Sequence, residues 1–133
     1  MHRGARGKVY EVTIREVFSA AHSLRNYGGK CEELHGHNFK VDVTVEARQL
    51  DQTGLALDFR ILKEETRKVL SLLDHAFLND LEPFRDRNPS SENIAKFVYE
   101  GLCQRIQVPG IKVKRVRVWE SENACASYLG EGE

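Results

Sequence analysis

Cysteine is scarce in this chain, with 3 in 133 residues. Cys31, Cys103 and Cys125 are far apart, and an odd, scattered set does not make a disulfide framework; it points to a reducing cytoplasm. Proline is equally rare, at 3, and no repeat or linker rich in Pro, Gly or Ser divides the sequence. Residues 1–133 therefore read as one domain. Charge of one sign is missing too: 20 Lys and Arg balance 20 Asp and Glu. That balance excludes a nucleic-acid-coating surface and a polybasic membrane patch. No apolar run approaches the roughly 20 residues of a bilayer span, and Met1 to Lys8 lack the apolar stretch of a secretory signal. The expectation is a cytoplasmic protein without a nucleic-acid or membrane partner, with a flexible N-terminus over residues 1–7.

What the chain does contain is a strong alternation. Tyr10, Val12 and Ile14 alternate with Glu11, Thr13 and Arg15, which predicts a half-buried strand. The alternation slips at Val17–Phe18, and a bulge is expected there. A loop from Asn26 to Glu33 leads to the clearest strand, with Phe39, Val41, Val43, Val45 and Ala47 on one face and Lys40 to Arg48 on the other. Turn chemistry follows at Asp51 to Gly54. Asp58 can cap a helix running to about Leu73, with Leu62, Thr66, Val69 and Leu73 inward. Ser90 or Ser91 caps a second helix, ended by Pro109–Gly110. Ile111 to Glu120 reads as a strand with a phase slip, Ile111 and Val113 facing one way and Val116 and Val118 the other, and a short strand covers about Ala124 to Leu129. Two helices between two strand pairs point to an α+β fold with an antiparallel sheet.

His35 and His37 share the parity of Phe39 and Val41, so two imidazoles continue the buried face of the second strand. A lone histidine is most often an ordinary hydrogen-bonded residue. A His-x-His pair with His22 at the end of the preceding strand suits three ligands of one cation, with zinc preferred and a fourth position open. Gly36 between them leaves room on the opposite face for another chain. Cys31, four residues before His35, reads as a fourth ligand, as a base or nucleophile beside the cation, or as a small buried residue. Asp74–His75 reads as a carboxylate fixing an imidazole tautomer or as a helix C-terminal cap. Glu120 ends an apolar strand face; it is either an exposed strand end or a bidentate acceptor for a guanidine-like edge of a pterin or guanine. Cys103 and Cys125 read as helix and strand packing.

Five segments, in order, resemble one family. They are Phe18-Ser19-Ala20-Ala21-His22; Cys31-x3-His35-Gly36-His37-Asn38-Phe39-Lys40; Leu73-Asp74-His75-x-Phe77-Leu78-Asn79; Pro89-Ser90-Ser91-Glu92-Asn93; and Val118-Trp119-Glu120-Ser121. Together they run from about Val9 to Tyr128 and resemble the 6-pyruvoyl-tetrahydropterin synthase and 6-carboxy-tetrahydropterin synthase (QueD) family. The resemblance implies a T-fold (tunnelling fold): a four-stranded antiparallel sheet with two helices on one face, oligomerising into a barrel as a trimer or hexamer with sites between subunits. It implies that His22, His35 and His37 bind Zn²⁺, that Cys31 is the general base, and that Asp74 and His75 complete a proton relay. It also implies that Glu120 anchors the pterin ring, helped by Ser91 and Glu92.

The implied substrate is 7,8-dihydroneopterin triphosphate. The C-x3-H-G-H spacing resembles the branch that makes 6-carboxy-5,6,7,8-tetrahydropterin for queuosine, with release of acetaldehyde and triphosphate. A second branch keeps the side chain as 6-pyruvoyl-tetrahydropterin. A third uses glutamate in E-x-x-H-G-H to form 6-hydroxymethyl-dihydropterin, and Glu32 satisfies that spacing here. Ser90 replaces the family's threonine. Lys30, Lys40 and Arg25 are triphosphate candidates by charge alone. A metal- or purine-binding module without turnover is the non-enzyme alternative.

Overall fold

The computed structural model describes residues 8–25 and 33–130. The expectations for Lys30, Cys31 and Glu32, and for residues 1–7, lie outside the described residues. Among those described, the main elements run β1 (Tyr10–His22), β2 (His35–Ala47), α1 (Phe59–Leu70), α2 (Ser91–Arg105), β3 (Ile111–Trp119) and β4 (Cys125–Tyr128). Two short 3-10 turns, Leu78–Asp80 and Glu82–Phe84, link the helices. The strands form one antiparallel sheet in the order β1-β2-β3-β4. No described helix is long and apolar enough to cross a membrane.

The bulge expected near Val17–Phe18 is absent. β1 pairs with β2 in unbroken register from Tyr10–Ala47 to His22–His35. The apparent slip has another cause: Glu16 takes an inward position, and its carboxylate meets Arg67 Nε of α1 at 3.1 Å. A charge on the helix side of a sheet needs such a partner. Val17 is left outward, 53% exposed.

The phase slip in β3 is a bulge. Thr44 pairs with Arg115 but Val45 pairs with Val113, so Lys114 is the extra residue. Val113, Val116 and Val118 consequently all reach the same core, contrary to the two-faced expectation.

That core lies between the sheet and the helices. It takes Phe18 and Ile14 from β1, Phe39 to Val45 from β2, Leu62 and Val69 from α1, and Ile94, Val98 and Leu102 from α2. Each fully buried Val or Leu contributes about 1.5–3 kcal/mol. Gly101 sets the helix spacing, since a Cβ there would stand 3.1 Å from Val69 Cγ1. Asp58 caps α1 by accepting from Arg60 N, and Ser90 caps α2 by accepting from Asn93 N. α1 stops at Leu70, earlier than about Leu73, and Leu73 is buried from the turn beyond it. Cys103 and Cys125 are exposed free thiols, not packing residues.

Candidate metal centre

The unbroken β1–β2 register places His22 opposite His35, Ala20 opposite His37 and Phe18 opposite Phe39. Three imidazoles therefore share the helix-side face at the open end of the sheet. The ring centroids are 4.6 Å apart for His22–His35, 4.7 Å for His35–His37 and 5.4 Å for His22–His37. Phe39 floors the group, stacked on Phe18 at 4.9 Å.

The tautomers follow from the partners. His22 Nδ1 donates to the Pro89 carbonyl at 2.7 Å, and His35 Nδ1 donates to the Glu33 carbonyl at 2.8 Å. A carbonyl only accepts, so each Nδ1 carries a proton, and Nε2 is the nitrogen left to face a metal ion. The Nε2 atoms of His22 and His37 are buried without a hydrogen-bond partner. Burial, followed by the neighbouring His35 and His22, lowers the His37 pKa against the opposing pull of Glu120. Converging imidazole nitrogens, two of them buried without a protein partner, fit a metal ion, which would take the place of the missing partners.

Glu120 joins them. Its carboxylate and one nitrogen of each histidine lie within 4.8 Å of one another. The Ser91 hydroxyl, in the first turn of α2, donates to Glu120 Oε1 at 3.0 Å. The β2–β3 pairing that sets Lys40 against Trp119 carries Glu120 past the end of β3 to this spot. Glu92 is exposed and stands outside the four-residue group.

Asp74 and His75 lie elsewhere. They flank the outer edge of β1, where the Ser19 N–H donates to Asp74 Oδ1 at 2.9 Å and the His75 N–H donates to the Ser19 carbonyl at 2.6 Å. The two side chains meet, His75 Nδ1 to Asp74 Oδ2, at 3.1 Å. The Ser19 N–H above all, joined by the adjacent His75, holds the Asp74 carboxyl below its usual range against the desolvation that raises it. His75 has φ 59°, in the left-handed region that non-glycine residues rarely adopt. With Ser19, Gly36, His37, Asn38 and Phe77 it lines a cleft of about 520 Å³ along the end of the sheet, so one histidine of the group borders the same cleft. By strand alternation Gly36 and Asn38 point away from the histidine face. A Cβ on Gly36 would meet nothing closer than the Ala20 carbonyl at 3.8 Å, so no segment of the described chain passes there.

Sequence reasoning missed the clamps behind His22. The Asn79 side chain exchanges two hydrogen bonds with the Ser23 backbone, both 2.9 Å. Asn88 does the same for Arg25, at 2.8 and 2.9 Å. Each amide imitates a strand partner just past His22, and an Asn next to Pro89 was the available signal. The Arg25 guanidinium donates to the carbonyls of Phe84, Arg85 and Arg87, so it staples this loop, whereas Lys40 is exposed on the outward face.

An antiparallel sheet covered by two helices, with three histidines and a glutamate gathered at one end where they could hold a metal ion, defines an α+β domain with a candidate metal centre. Comparison with known proteins identifies which kind. Residues 11–131 match the family model described as 6-pyruvoyl tetrahydropterin synthase. A 6-carboxy-5,6,7,8-tetrahydropterin synthase of Synechocystis is 36% identical over 84% of this chain and 87% of its own. A dihydroneopterin monophosphate aldolase of Pyrococcus furiosus is 37% identical over 82% of this chain and 88% of its own. The solved 6-pyruvoyl tetrahydropterin synthase of Caenorhabditis elegans superposes with a TM-score of 0.84 at 29% identity, over 93% of this chain and 97% of that one. The chain belongs to the 6-pyruvoyl tetrahydropterin synthase family; its fold is the T-fold and it is a lyase.

Proposed function

We propose that this protein is a zinc-dependent lyase converting 7,8-dihydroneopterin triphosphate to 6-carboxy-5,6,7,8-tetrahydropterin, with release of acetaldehyde and triphosphate, on the cytoplasmic route to queuosine. The observation that carries the reading is the convergence of three imidazoles with two orphaned, buried Nε2 atoms beside a carboxylate. His22, His35 and His37 would hold the zinc. When bound, it supplies Lewis-acid polarisation of the substrate's side-chain oxygens.

The chain's own groups do the rest. Glu120, oriented by Ser91, accepts the paired N–H donors of the pterin ring, with Glu92 in the same helix turn nearby in sequence. Cys31 removes a side-chain proton as general base. Asp74, held ionised, keeps its partner His75 oriented and supports the imidazolium that forms when His75 takes up a proton. His75 is not one of the four clustered residues, although His37 borders the same cleft. On this reading it serves the site of a neighbouring copy, in a homotrimer or hexamer.

The test is product identification by mass spectrometry. 6-Carboxy-tetrahydropterin and acetaldehyde are expected, and both are lost in Cys31→Ala. A product that keeps its three-carbon side chain assigns the 6-pyruvoyl reaction instead. One observation favours a second reading: Glu32 completes E-x-x-H-G-H, and one relative is named an aldolase. On that reading 6-hydroxymethyl-dihydropterin forms, and Glu32→Gln rather than Cys31→Ala removes it.

A further inference from the structure

The contact between His37 Nε2 and Glu120 Oε2 is 3.4 Å long, yet His37 Nε2 has no hydrogen-bond partner. A hydrogen-bonded ion pair does not describe it. Two ligands of one tetrahedral zinc, each 2.0–2.1 Å from it, stand about 3.3 Å apart. The His37–Glu120 separation matches that spacing, and all four candidate ligand atoms lie within 4.8 Å of one another.

The side chain has the means to stay and to leave. Its backbone is fixed, the Glu120 N–H donating to the Ala124 carbonyl at 3.2 Å in the β3–β4 turn. Its second oxygen is held by Ser91 Oγ. The side chain itself is 37% exposed, so rotation about its own bonds is not blocked by packing. A carboxylate also matches the chemistry: it adds an anionic ligand to three neutral imidazoles and offsets one of the two charges of a divalent cation.

We propose that Glu120 is a displaceable fourth metal ligand, closing the three-histidine site in the substrate-free protein and released when a pterin ring recruits its carboxylate. Resting metal is thereby sealed in a closed, structural-type coordination, and the open position forms only as the ring docks. Recognition of the ring and exposure of the cation become one event. The inference rests on the three-histidine reading above and assigns Glu120 a second role within it.

The experiment uses the full chain loaded with Co²⁺, whose visible absorption reports coordination. Wild type is expected to bind one Co²⁺ per chain with the intense bands of a four-ligand site. Glu120→Ala should alter those bands and lower Co²⁺ affinity, measured by chelator competition, by about tenfold or more. Ser91→Ala should do so more weakly. Neopterin added to wild type should move its spectrum toward that of Glu120→Ala. Thermal melts confirm that the variants are folded, and Glu120→Gln, which keeps the shape, should lie between wild type and alanine. Equal spectra and affinities for wild type and Glu120→Ala, with Co²⁺ bound to both, would overturn this inference alone. Failure of wild type to bind Co²⁺ would overturn the metal reading beneath it.

Discussion

His22 sits directly across from His35 on the last rung of the β1–β2 ladder, their rings meeting edge to face at 4.6 Å. The pair is unequal. His22 is 1% exposed and tied to the Pro89 carbonyl ahead of α2. His35 is half-buried and tied to Glu33, two residues back in its own chain. One imidazole joins the sheet to the helix layer; the other belongs to the rim.

That inequality separates binding from stability. His35→Ala is expected to abolish metal retention while leaving the urea midpoint close to that of the metal-free wild type. His22→Ala removes the same ligand function, but it also strands the buried Pro89 carbonyl and opens a cavity over Phe39. It should lower stability by about 2 kcal/mol more. Metal analysis and urea titration of the two metal-free variants check this. Equal midpoints for both would contradict the structural role of His22.

The histidine site was legible because parity and register are linear properties of a strand. Once Phe39 and Val41 are inward, His35 and His37 must be. The fold class followed from the same alternation. Three features were not legible, each because a second chain segment decides them. Glu16 breaks the apolar pattern of β1, and only the distant Arg67 explains its inward position. The slip in β3 shows in its sequence, but that it is a bulge at Lys114 which turns Val113 to the same core does not, because β2 holds the register on either side of it. The parity of Glu120 with Val116 and Val118 marked its face, but its place beside the histidines comes only through the β2–β3 pairing.

On the outward face, Asp42 accepts from Arg15 Nε at 2.6 Å, Arg15 Nη2 at 3.1 Å and Trp119 Nε1 at 2.8 Å. Burial raises its pKa, but the Arg15 and Trp119 hydrogen bonds outweigh that and leave it below the ordinary 3.8. The folded state thus keeps the charge at a pH where the unfolded chain takes a proton. The stabilisation is full above the ordinary value and is lost as pH falls through the lowered one. Asp42→Asn should cost about 1 kcal/mol at neutral pH, the exposed Arg15 side reducing the effect. The gap to wild type should narrow as the solution is acidified past the carboxylate range. Urea midpoints across an acid series test it, and a gap that widens toward low pH would refute the assignment.

Asp74 and His75 meet each other at 3.1 Å but stand outside the histidine group of their own chain, beside a cleft at the end of the sheet. If they act on the substrate held by a neighbouring copy, ligand and relay variants repair each other. His35→Ala lacks the metal but has a sound relay; Asp74→Asn has the reverse. Each homo-oligomer should be inactive, and Asp74→Asn should keep its metal. Co-assembled at random from equal amounts and freed of the all-one-parent assemblies, roughly a quarter of sites in a hexamer and about a third in a trimer gain both sound halves, so about that fraction of the wild-type rate should return. Co-expression with two different affinity tags isolates the mixed particles, and the rate is read on them. Mixed particles as inactive as either parent would place the relay and the metal of one reaction in a single chain, and the shared-site reading would fail with them.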